Sequence, residues 1–323
     1  MNRLKKPLII LTGPTAVGKT HLSIRLARAV GGEIISADSM QVYRHMDIGS
    51  AKICPEEMEG IPHHLIDCLE PDEEFNVVRF QQMARDAMEG IYERGNIPIL
   101  TGGTGFYIQA VTGDIDFTEH GEDDSYRRVL EEKANTEGAQ ALHEMLRAVD
   151  PPSAKAIHPH NVKRVIRALE YYKQTGQPIS NHNEEQRKKV SPYQLAYFVL
   201  NDERSRLYER IDRRVDEMLE NGLVEEVQKL KEMGYHRGMV SMQGLGYKEI
   251  LAFLDGECSL EEAVYILKRD TRHFAKRQLT WFKREQNVEW FYKPDYKDQE
   301  EAILQDMLAS LQEKNMISER GIQ

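Results

Sequence analysis

A glycine-rich segment near the beginning of the chain restricts the possible folds more than any other feature of the sequence. Residues 13–20 read Gly-Pro-Thr-Ala-Val-Gly-Lys-Thr and fit the pattern G-x-x-x-x-G-K-[ST]. An apolar run at residues 7–11 precedes the segment, and apolar residues at helical spacing follow it up to residue 30. A buried strand, a glycine-rich turn and a helix in this order predict a loop that surrounds a polyphosphate.

The residue types in this loop explain why it suits phosphate. The residues expected to bind are Gly13, Pro14, Thr15, Ala16, Val17, Gly18, Lys19 and Thr20. The glycines let the backbone curl so that N–H groups point inward, and the helix N-terminus adds a partial positive charge. Lys19 adds a full charge, and the Thr20 hydroxyl is a candidate ligand for Mg²⁺. The pattern therefore indicates a di- or triphosphate without identifying which one.

Strand-like and helix-like segments alternate along the first hundred residues, which predicts a parallel sheet with helical connections. The predicted strands are residues 7–11, 33–37, 64–69, 97–100, 194–200 and 288–292. We therefore expect an α/β fold: a P-loop NTPase-like parallel sheet flanked by helices, with an inserted all-helical subdomain. The core would comprise residues 1–115 and 191–312, the insertion residues 116–190, and a disordered tail residues 313–323.

Charge is distributed unevenly along the 323 residues, and this bears on the choice of partner. With 43 Lys and Arg against 53 Asp and Glu, the formal net charge of -10 argues by itself against a nucleic-acid-binding protein. Residues 265–285, however, contain seven basic and two acidic residues. Such a stripe predicts either a local binding surface or a salt-bridged helix.

The composition also excludes several classes of protein. The three cysteines are far apart and form no CxxC pair, which excludes a disulfide framework and a four-cysteine zinc site. No run of 18 apolar residues is present, so we expect no membrane span and a cytoplasmic protein.

The end of the second predicted strand supplies a candidate catalytic group. ATPases and GTPases with this loop usually add a strand that ends in an aspartate, but residues 97–100 lead into Thr101-Gly-Gly-Thr-Gly105 without an acid. Residues 33–37 instead lead into Asp38, which places a lone carboxylate at the carboxyl edge of the predicted sheet, where ligands bind in open α/β folds. Such a carboxylate can hold a metal ion or accept a proton from a nucleophile, and a turn cap is the alternative interpretation.

Six sequence blocks, in order and in register, resemble the tRNA dimethylallyltransferase (tRNA isopentenyltransferase) family. The blocks are residues 13–20, 38–52, 102–107, 161–170, 243–249 and 271–281. We find no counterpart of the zinc-finger extension of eukaryotic members and therefore expect the bacterial type. The chain departs from the family pattern at His45, Ser50 and Phe106, where Gly, Thr and Leu are usual, and at His273-Phe274, where Gln-Leu is usual.

The resemblance implies transfer of a dimethylallyl group from dimethylallyl diphosphate to N6 of adenosine 37, beside the anticodon of tRNAs that read codons beginning with U. Diphosphate would leave from the phosphate loop, with Mg²⁺ at Thr20. The resemblance also implies that Asp38 is the general base and that Thr104 and Arg214 lie near the reacting groups. Arg213 replaces Arg214 as the diphosphate clamp if the alignment is shifted by one residue. We expect a monomer whose partners are the tRNA anticodon stem-loop and dimethylallyl diphosphate.

The same resemblance implies a set of tRNA-binding residues. They are Asp38, Ser39, Met40, Gln41, Thr104, Lys163, Arg164, Val165, Ile166, Arg167, Gln243, Gly244, Leu245, Gly246, Tyr247 and Lys248. Within this set the Gln41 amide suits an adenine edge, with a loop cap as the alternative. The loop at 243–248, with Tyr247 and Lys248, can approach a phosphate backbone or stack on a base. The basic residues at 163–167 and in the stripe at 265–285 suit phosphates, with solvated helix faces as the alternative.

Two other classes of function agree with parts of the sequence. A phosphotransferase, such as a nucleotide or small-molecule kinase, would bind ATP at the same loop. The missing acid after residues 97–100 and the basic stripe argue against it. A non-catalytic RNA-binding module would leave the phosphate loop without a role.

Overall fold

A sheet in which every pairing is parallel forms the centre of the fold. The computed structural model describes residues 5–117 and 125–318. Its strands are β1 Lys6–Thr12, β2 Gly32–Ser36, β3 His63–His64, β4 Ile97–Gly102, β5 Tyr193–Asn201 and β6 Glu289–Tyr292. Within the described residues these six strands are ordered β3-β2-β4-β1-β5-β6. The predicted α/β fold with a P-loop-type parallel sheet is confirmed.

Helices connect the strands and cover both faces of the sheet. They are α1 Lys19–Val30, α2 Val77–Glu93, α3 Gly105–Thr112, α4 Ser125–Glu137, α5 Ala139–Val149, α6 Pro151–Ala156, α7 Val162–Thr175, α8 Ile179–Lys188, α9 Arg204–Glu220, α10 Leu223–Glu232, α11 Tyr247–Leu254, α12 Leu260–Phe282 and α13 Glu300–Glu313. Side-chain caps explain where some of them begin: the Asn76 side chain accepts from the backbone at the start of α2, and Ser259 does the same for α12. Among the described helices, none has the length and apolar character needed to span a membrane.

The alternation of side chains along β1 creates two apolar layers. Leu8 and Ile10 belong to a cluster on one face of the sheet that includes residues of α2, α3, α10 and α11. Ile9 and Leu11 belong to the opposite cluster, with residues of α1, α9 and α13. All four side chains are fully buried, as expected for a central strand covered on both faces. This core fixes the carboxyl end of β1, from which the phosphate loop begins.

The chain divides into two compact units, residues 1–112 with 192–323, and residues 113–191. The expected boundaries of the insertion were residues 116 and 190. Within the described part of the second unit, α4 to α8 surround an apolar core of their own. Its buried members include Leu130, Leu142, Leu146, Val165 and Leu169.

Two local predictions differ from the structure. The strand expected at 64–69 is only two residues long, because Leu65 and Asp67 take left-handed backbone conformations, with φ of 62° and 53°. The disorder expected from residue 313 does not apply to residues 313–318. The Met316 side chain is buried against the α1 and α13 cluster, which anchors this segment. Residues 319–323 lie outside the described residues.

Candidate active site

A cavity of about 390 Å³ lies at the carboxyl edge of the sheet, where the phosphate loop and the ends of β2 and β4 meet. Helices α9 and α12 and two residues of the segment after β2, Gln41 and Ser50, contribute the remaining walls. The lining residues are Thr15, Ala16, Gly18, Lys19, Thr20, Ser36, Asp38, Gln41, Ser50, Thr101, Gly102, Gly103, Arg210, Arg213, Arg214, Glu217, Phe274 and Gln278. The fold therefore brings the predicted phosphate loop, Asp38 and Arg214 to one space.

The phosphate loop has the backbone geometry that the sequence predicts. Gly18 has a φ of 98°, a left-handed conformation that favours glycine, and Ala16 has a φ of 61°. At Gly13 a Cβ atom would overlap the carbonyl oxygen of Leu200 on β5, so only glycine lets the chain pass this strand. The loop can therefore curl tightly at the start of α1.

Lys19 is held over the loop by the loop's own backbone. Its Nζ donates to the carbonyl oxygens of Gly13 at 3.0 Å and Pro14 at 2.8 Å. The pKa of Lys19 is lowered to about 7, mainly by burial and in addition by the nearby Arg214 guanidinium, while Asp38 opposes both effects. A bound polyanion would favour the charged ammonium, so the cavity is suited to a negatively charged ligand.

Asp38 caps a turn and also faces the cavity. Its Oδ1 accepts from the backbone N–H groups of Met40 at 2.8 Å and Gln41 at 3.4 Å. Within the described residues its Oδ2 takes part in no hydrogen bond or ion pair. The turn-cap interpretation and the catalytic interpretation therefore use different oxygen atoms and do not exclude each other.

The predicted base-reading amide is engaged inside the protein. The Gln41 Oε1 accepts from the Ser36 hydroxyl at 3.1 Å, and its Nε2 donates to the Ala51 carbonyl at 3.2 Å. Reading an adenine with this amide would require these bonds to be exchanged.

The neighbouring Met40 packs its methyl group against Gly244, where a Cβ atom would overlap it. The segments 38–41 and 243–248, both predicted to bind tRNA, thus lie together.

Glu226 on α10 anchors the segment that follows Asp38. Its carboxylate accepts from the backbone N–H groups of Asp47, Ile48 and Gly49, at 2.9, 2.8 and 3.1 Å, and from the Tyr247 hydroxyl at 2.9 Å. The Tyr247 ring is fully buried, and burial raises the pKa of its hydroxyl well above 10. The expectation that Tyr247 stacks on a base is therefore wrong, since this ring packs in the core. No sequence signal pointed to Glu226.

The departure at His45 has a conformational consequence. His45 has a φ of 65°, in the left-handed region that favours the glycine usual in the family pattern. Its Nε2 lies 3.4 Å from a carboxylate oxygen of Glu70. This contact connects the left-handed backbone at His45 to Glu70, which follows β3 in the chain.

The two arginines between which the sequence could not choose differ in position. Arg213 is exposed, and its Nε lies 3.7 Å from the Glu217 carboxylate. Arg214 is half-buried, and burial lowers the pKa of its guanidinium while Asp38 raises it. In the part of the chain that the structure describes, Arg214 forms no ion pair within 4.0 Å. These contacts favour Arg214 as the side chain available to an anion.

Two further side chains hold the phosphate loop, and sequence reasoning missed both roles. Arg210 donates from Nε to the Ala16 carbonyl at 2.9 Å and from Nη2 to the buried Asp202 at 2.6 Å. The Gln278 Oε1 accepts from the Thr15 N–H at 2.8 Å. The Thr15 amide, expected to bind phosphate, is therefore already satisfied. Gln278 lies in a recognised sequence block, but its partners are distant in sequence.

Thr104 is adjacent to the cavity without lining it. Its backbone N–H donates to the Ala37 carbonyl at 3.2 Å, and its carbonyl accepts from Tyr107 N–H at the start of α3. This arrangement joins the segment after β4 to the residue that precedes Asp38.

The basic stripe of α12 has two distinct halves. Lys268 lies 2.6 Å from Asp216 of α9, and Arg272 pairs with Asp212 of the same helix. The cations beyond them are exposed, and within the described residues they form no ion pair: Lys276, Arg277, Lys283 and Arg284. The salt-bridged interpretation thus applies to the first half, and only the second half offers free positive charge.

In the second unit, α7 separates the predicted tRNA-binding residues into two groups. Lys163, Arg164 and Arg167 are exposed. Val165 and Ile166 are buried in the apolar core of that unit, so the expectation of tRNA contact by their side chains is wrong. Helical periodicity places them on the opposite face from the cations.

Comparison with known proteins gives a consistent result. Residues 41–285 match the family described as IPP transferase, and residues 6–70 match the family described as isopentenyl transferase. The tRNA dimethylallyltransferase of Lachnoclostridium phytofermentans is 67% identical, with 97% of this chain and 99% of the relative covered. That of Carboxydothermus hydrogenoformans is 51% identical, with 89% and 92% covered.

Solved structures agree. The full-length tRNA isopentenylpyrophosphate transferase of Bacillus halodurans superposes with a TM-score of 0.72 at 47% identity, covering 97% of this chain and 99% of that one. A eukaryotic dimethylallyltransferase, described as acting on tRNA, superposes with a TM-score of 0.81 at 31% identity, covering 96% and 80%.

We predict that binding of inorganic diphosphate takes up a proton at pH 8. Lys19, with its pKa of about 7, is then mostly neutral, and the bound polyanion favours its charged form. The affinity should fall as the pH rises above 7. Calorimetry at pH 8 in two buffers of different ionisation enthalpy measures the uptake. The Lys19→Gln variant reports the proton changes of diphosphate itself, and equal uptake by both proteins would contradict the prediction.

Proposed function

The chain belongs to the IPP transferase family, and we propose that it transfers a dimethylallyl group from dimethylallyl diphosphate to N6 of adenosine 37 in tRNAs that read codons beginning with U. The observation that carries this proposal is the shared cavity, in which the phosphate loop, Arg214 and Asp38 line one space. Such a site holds a leaving diphosphate beside a proton acceptor, which is what prenyl transfer to an amine requires.

The leaving-group side of the cavity is cationic. In the proposed reaction the bond between the allylic carbon and the diphosphate oxygen breaks, and negative charge develops on that oxygen. Loop N–H groups, Lys19 and Arg214 would stabilise this charge. The Arg214 guanidinium can bind two phosphate oxygens at once, which a lysine cannot.

Mg²⁺ fits this side of the site. The Thr20 hydroxyl is a hard oxygen donor on the cavity wall. The described residues contain no cluster of three His, Cys, Asp or Glu side chains suited to a metal ion, so diphosphate and water would supply the other ligands, as is common for Mg²⁺. When bound there, the ion would neutralise charge on the leaving diphosphate.

Asp38 suits the acceptor side. An aromatic amine is a weak nucleophile, and it must lose a proton as the new carbon–nitrogen bond forms. The Asp38 Oδ2, which faces no competing partner among the described residues, would accept that proton. Because the target adenosine lies in a loop, it can be unstacked and drawn into the cavity.

Phosphate contacts in each unit would bind the tRNA. The exposed cations at residues 163, 164 and 167 on α7 belong to one unit. The exposed cations from Lys276 to Arg284 on α12 and beyond it belong to the other. Both sets offer charge to an RNA backbone.

A transfer assay without ATP tests the proposal. An unmodified tRNA transcript that reads a codon beginning with U is incubated with labelled dimethylallyl diphosphate and Mg²⁺. We expect the label in the tRNA, and none when adenosine 37 is changed to guanosine. Label that stays free here, together with consumption of ATP in a parallel reaction that contains it, would favour a kinase instead.

We predict that Asp38→Asn lowers turnover by at least about 100-fold, the usual effect of losing a general base. The asparagine Oδ1 can still accept from Met40 N–H, so the turn is preserved. Single-turnover transfer and tRNA binding are measured together, and binding should be unchanged. If Asp38 were only a turn cap, Asp38→Asn would retain activity and only Asp38→Ala would lose it.

We predict that Lys163→Ala with Arg164→Ala weakens tRNA binding and reduces the slope of log K against log salt by roughly 1.5, since two phosphate contacts are lost. The matched control is Lys133→Ala with Arg147→Ala in the same unit. These cations already pair with Glu137 and Glu144 of their own helices. An equal change in both double variants would mean that only overall charge matters.

A further inference from the structure

We propose that Gln278 is a positioning residue for the transfer reaction: its side-chain amide fixes the spacing between the phosphate loop and the segment 103–105 that follows β4. The proposal rests on the function proposed above. It assigns Gln278 no contact with the reacting atoms.

The amide of Gln278 is used at both ends. Its Oε1 accepts from Thr15 N–H at 2.8 Å, and its Nε2 donates to the Gly103 carbonyl at 3.0 Å. The residue is 6% exposed, so these bonds are protected from water. A Cβ atom on Gly103 would overlap the Gln278 amide, which shows how closely the two approach. One side chain thus joins two segments that are nearly 90 residues apart in sequence.

Regular sheet contacts end before these segments begin. The register between β1 and β4 extends as far as Thr12 and Gly102, and the Thr12 hydroxyl donates to the Gly102 carbonyl at 2.6 Å. Beyond that point the strands separate into loops, and Gln278 supplies the hydrogen bonds that join them. The sheet therefore sets the spacing at the strand ends, and Gln278 extends it into the cavity.

The last residue of β4 and the second segment are in turn joined to the residue before Asp38. A Cβ atom on Gly102 would overlap the backbone of Ala37, and the Thr104 N–H donates to the Ala37 carbonyl at 3.2 Å. A continuous set of contacts therefore runs from the phosphate loop through Gln278 to the backbone beside Asp38. In the proposed reaction these two ends hold the leaving diphosphate and receive the proton.

Loss of Gln278 should affect chemistry more than binding. Arg210 still holds the phosphate loop through the Ala16 carbonyl, and Lys19 still bonds to the loop's own carbonyl oxygens. The loop should therefore keep its affinity for diphosphate. Misplacement of reacting groups by about 1 Å can cost about 100-fold in rate, even when it originates away from the chemistry.

The test compares Gln278→Met, which keeps the length of the side chain but makes neither hydrogen bond, with Gln81→Met. Gln81 is a matched control because it is 5% exposed and donates to the Ala110 carbonyl at 2.6 Å, away from the cavity lining. We expect Gln278→Met to lower the single-turnover rate per folded molecule by about 10- to 100-fold. Its dissociation constant for inorganic diphosphate should change less than about threefold. Gln81→Met should keep the rate.

Amide hydrogen exchange provides a readout that does not depend on activity. Thr15 and Thr104 amides should lose protection in Gln278→Met and keep it in Gln81→Met. In Gln278→Glu the carboxylate can still accept from Thr15 but cannot donate to Gly103, so only the second segment should lose protection.

The outcomes separate this proposal from the proposed function. Wild-type protein that transfers no label contradicts the proposed function, and hydrogen exchange then decides alone whether Gln278 joins the two segments. A rate within threefold of wild type in Gln278→Met, or an equal loss of rate in Gln81→Met, would overturn the positioning role. Unchanged exchange at Thr15 and Thr104 would overturn the structural link itself.

Discussion

Two cations share a partly desolvated cavity at the carboxyl edge of the sheet, and the rest of the site is built around them. Burial lowers the pKa of both Lys19 and Arg214, and the Arg214 guanidinium further lowers the pKa of Lys19. Asp38 compensates only in part. A bound polyanion offsets the cost of charging these two side chains. The same arrangement that is unfavourable in the free protein therefore favours binding of a diphosphate. The fold must keep the two cations close without letting them escape into solvent.

Hydrogen bonds and ion pairs from Lys52 and Glu226, more than regular secondary structure, hold the segment that carries Asp38. The segment between β2 and β3 contains the turn of Asp38 but no helix. Lys52, whose side chain is 4% exposed, donates to the Tyr43 carbonyl at 2.7 Å and pairs with Asp47 and Asp67 at 2.6 and 2.5 Å. Glu226 binds three successive backbone N–H groups of the same segment. Such anchors keep the Asp38 carboxylate in a fixed geometry, which a loop alone cannot provide.

The sequence predicted the parts of the molecule that depend on local pattern. The phosphate loop, the parallel sheet and the position of Asp38 beside that loop follow from glycine spacing, apolar runs and the rule that parallel strands share a carboxyl edge. It could not predict which surfaces become covered. Tyr247 reads as a loop aromatic, yet its ring is in the core, and Val165 and Ile166 share a basic block with exposed arginines. Contacts with residues distant in sequence determine whether these side chains are buried, and helical periodicity does not reveal those contacts.

Helix α12 illustrates how distant partners give one stripe two roles. Asp212 and Asp216 of α9 neutralise its first cations and hold it against the helix that carries Arg210 and Arg214. Its second half keeps free cations on the surface while Phe274 and Gln278 reach the cavity. Docking of α12 on α9 therefore positions Arg214 and Gln278 together. Charge that an RNA backbone would meet lies on the same rigid element, so an overall acidic chain can still present a local basic surface next to its site.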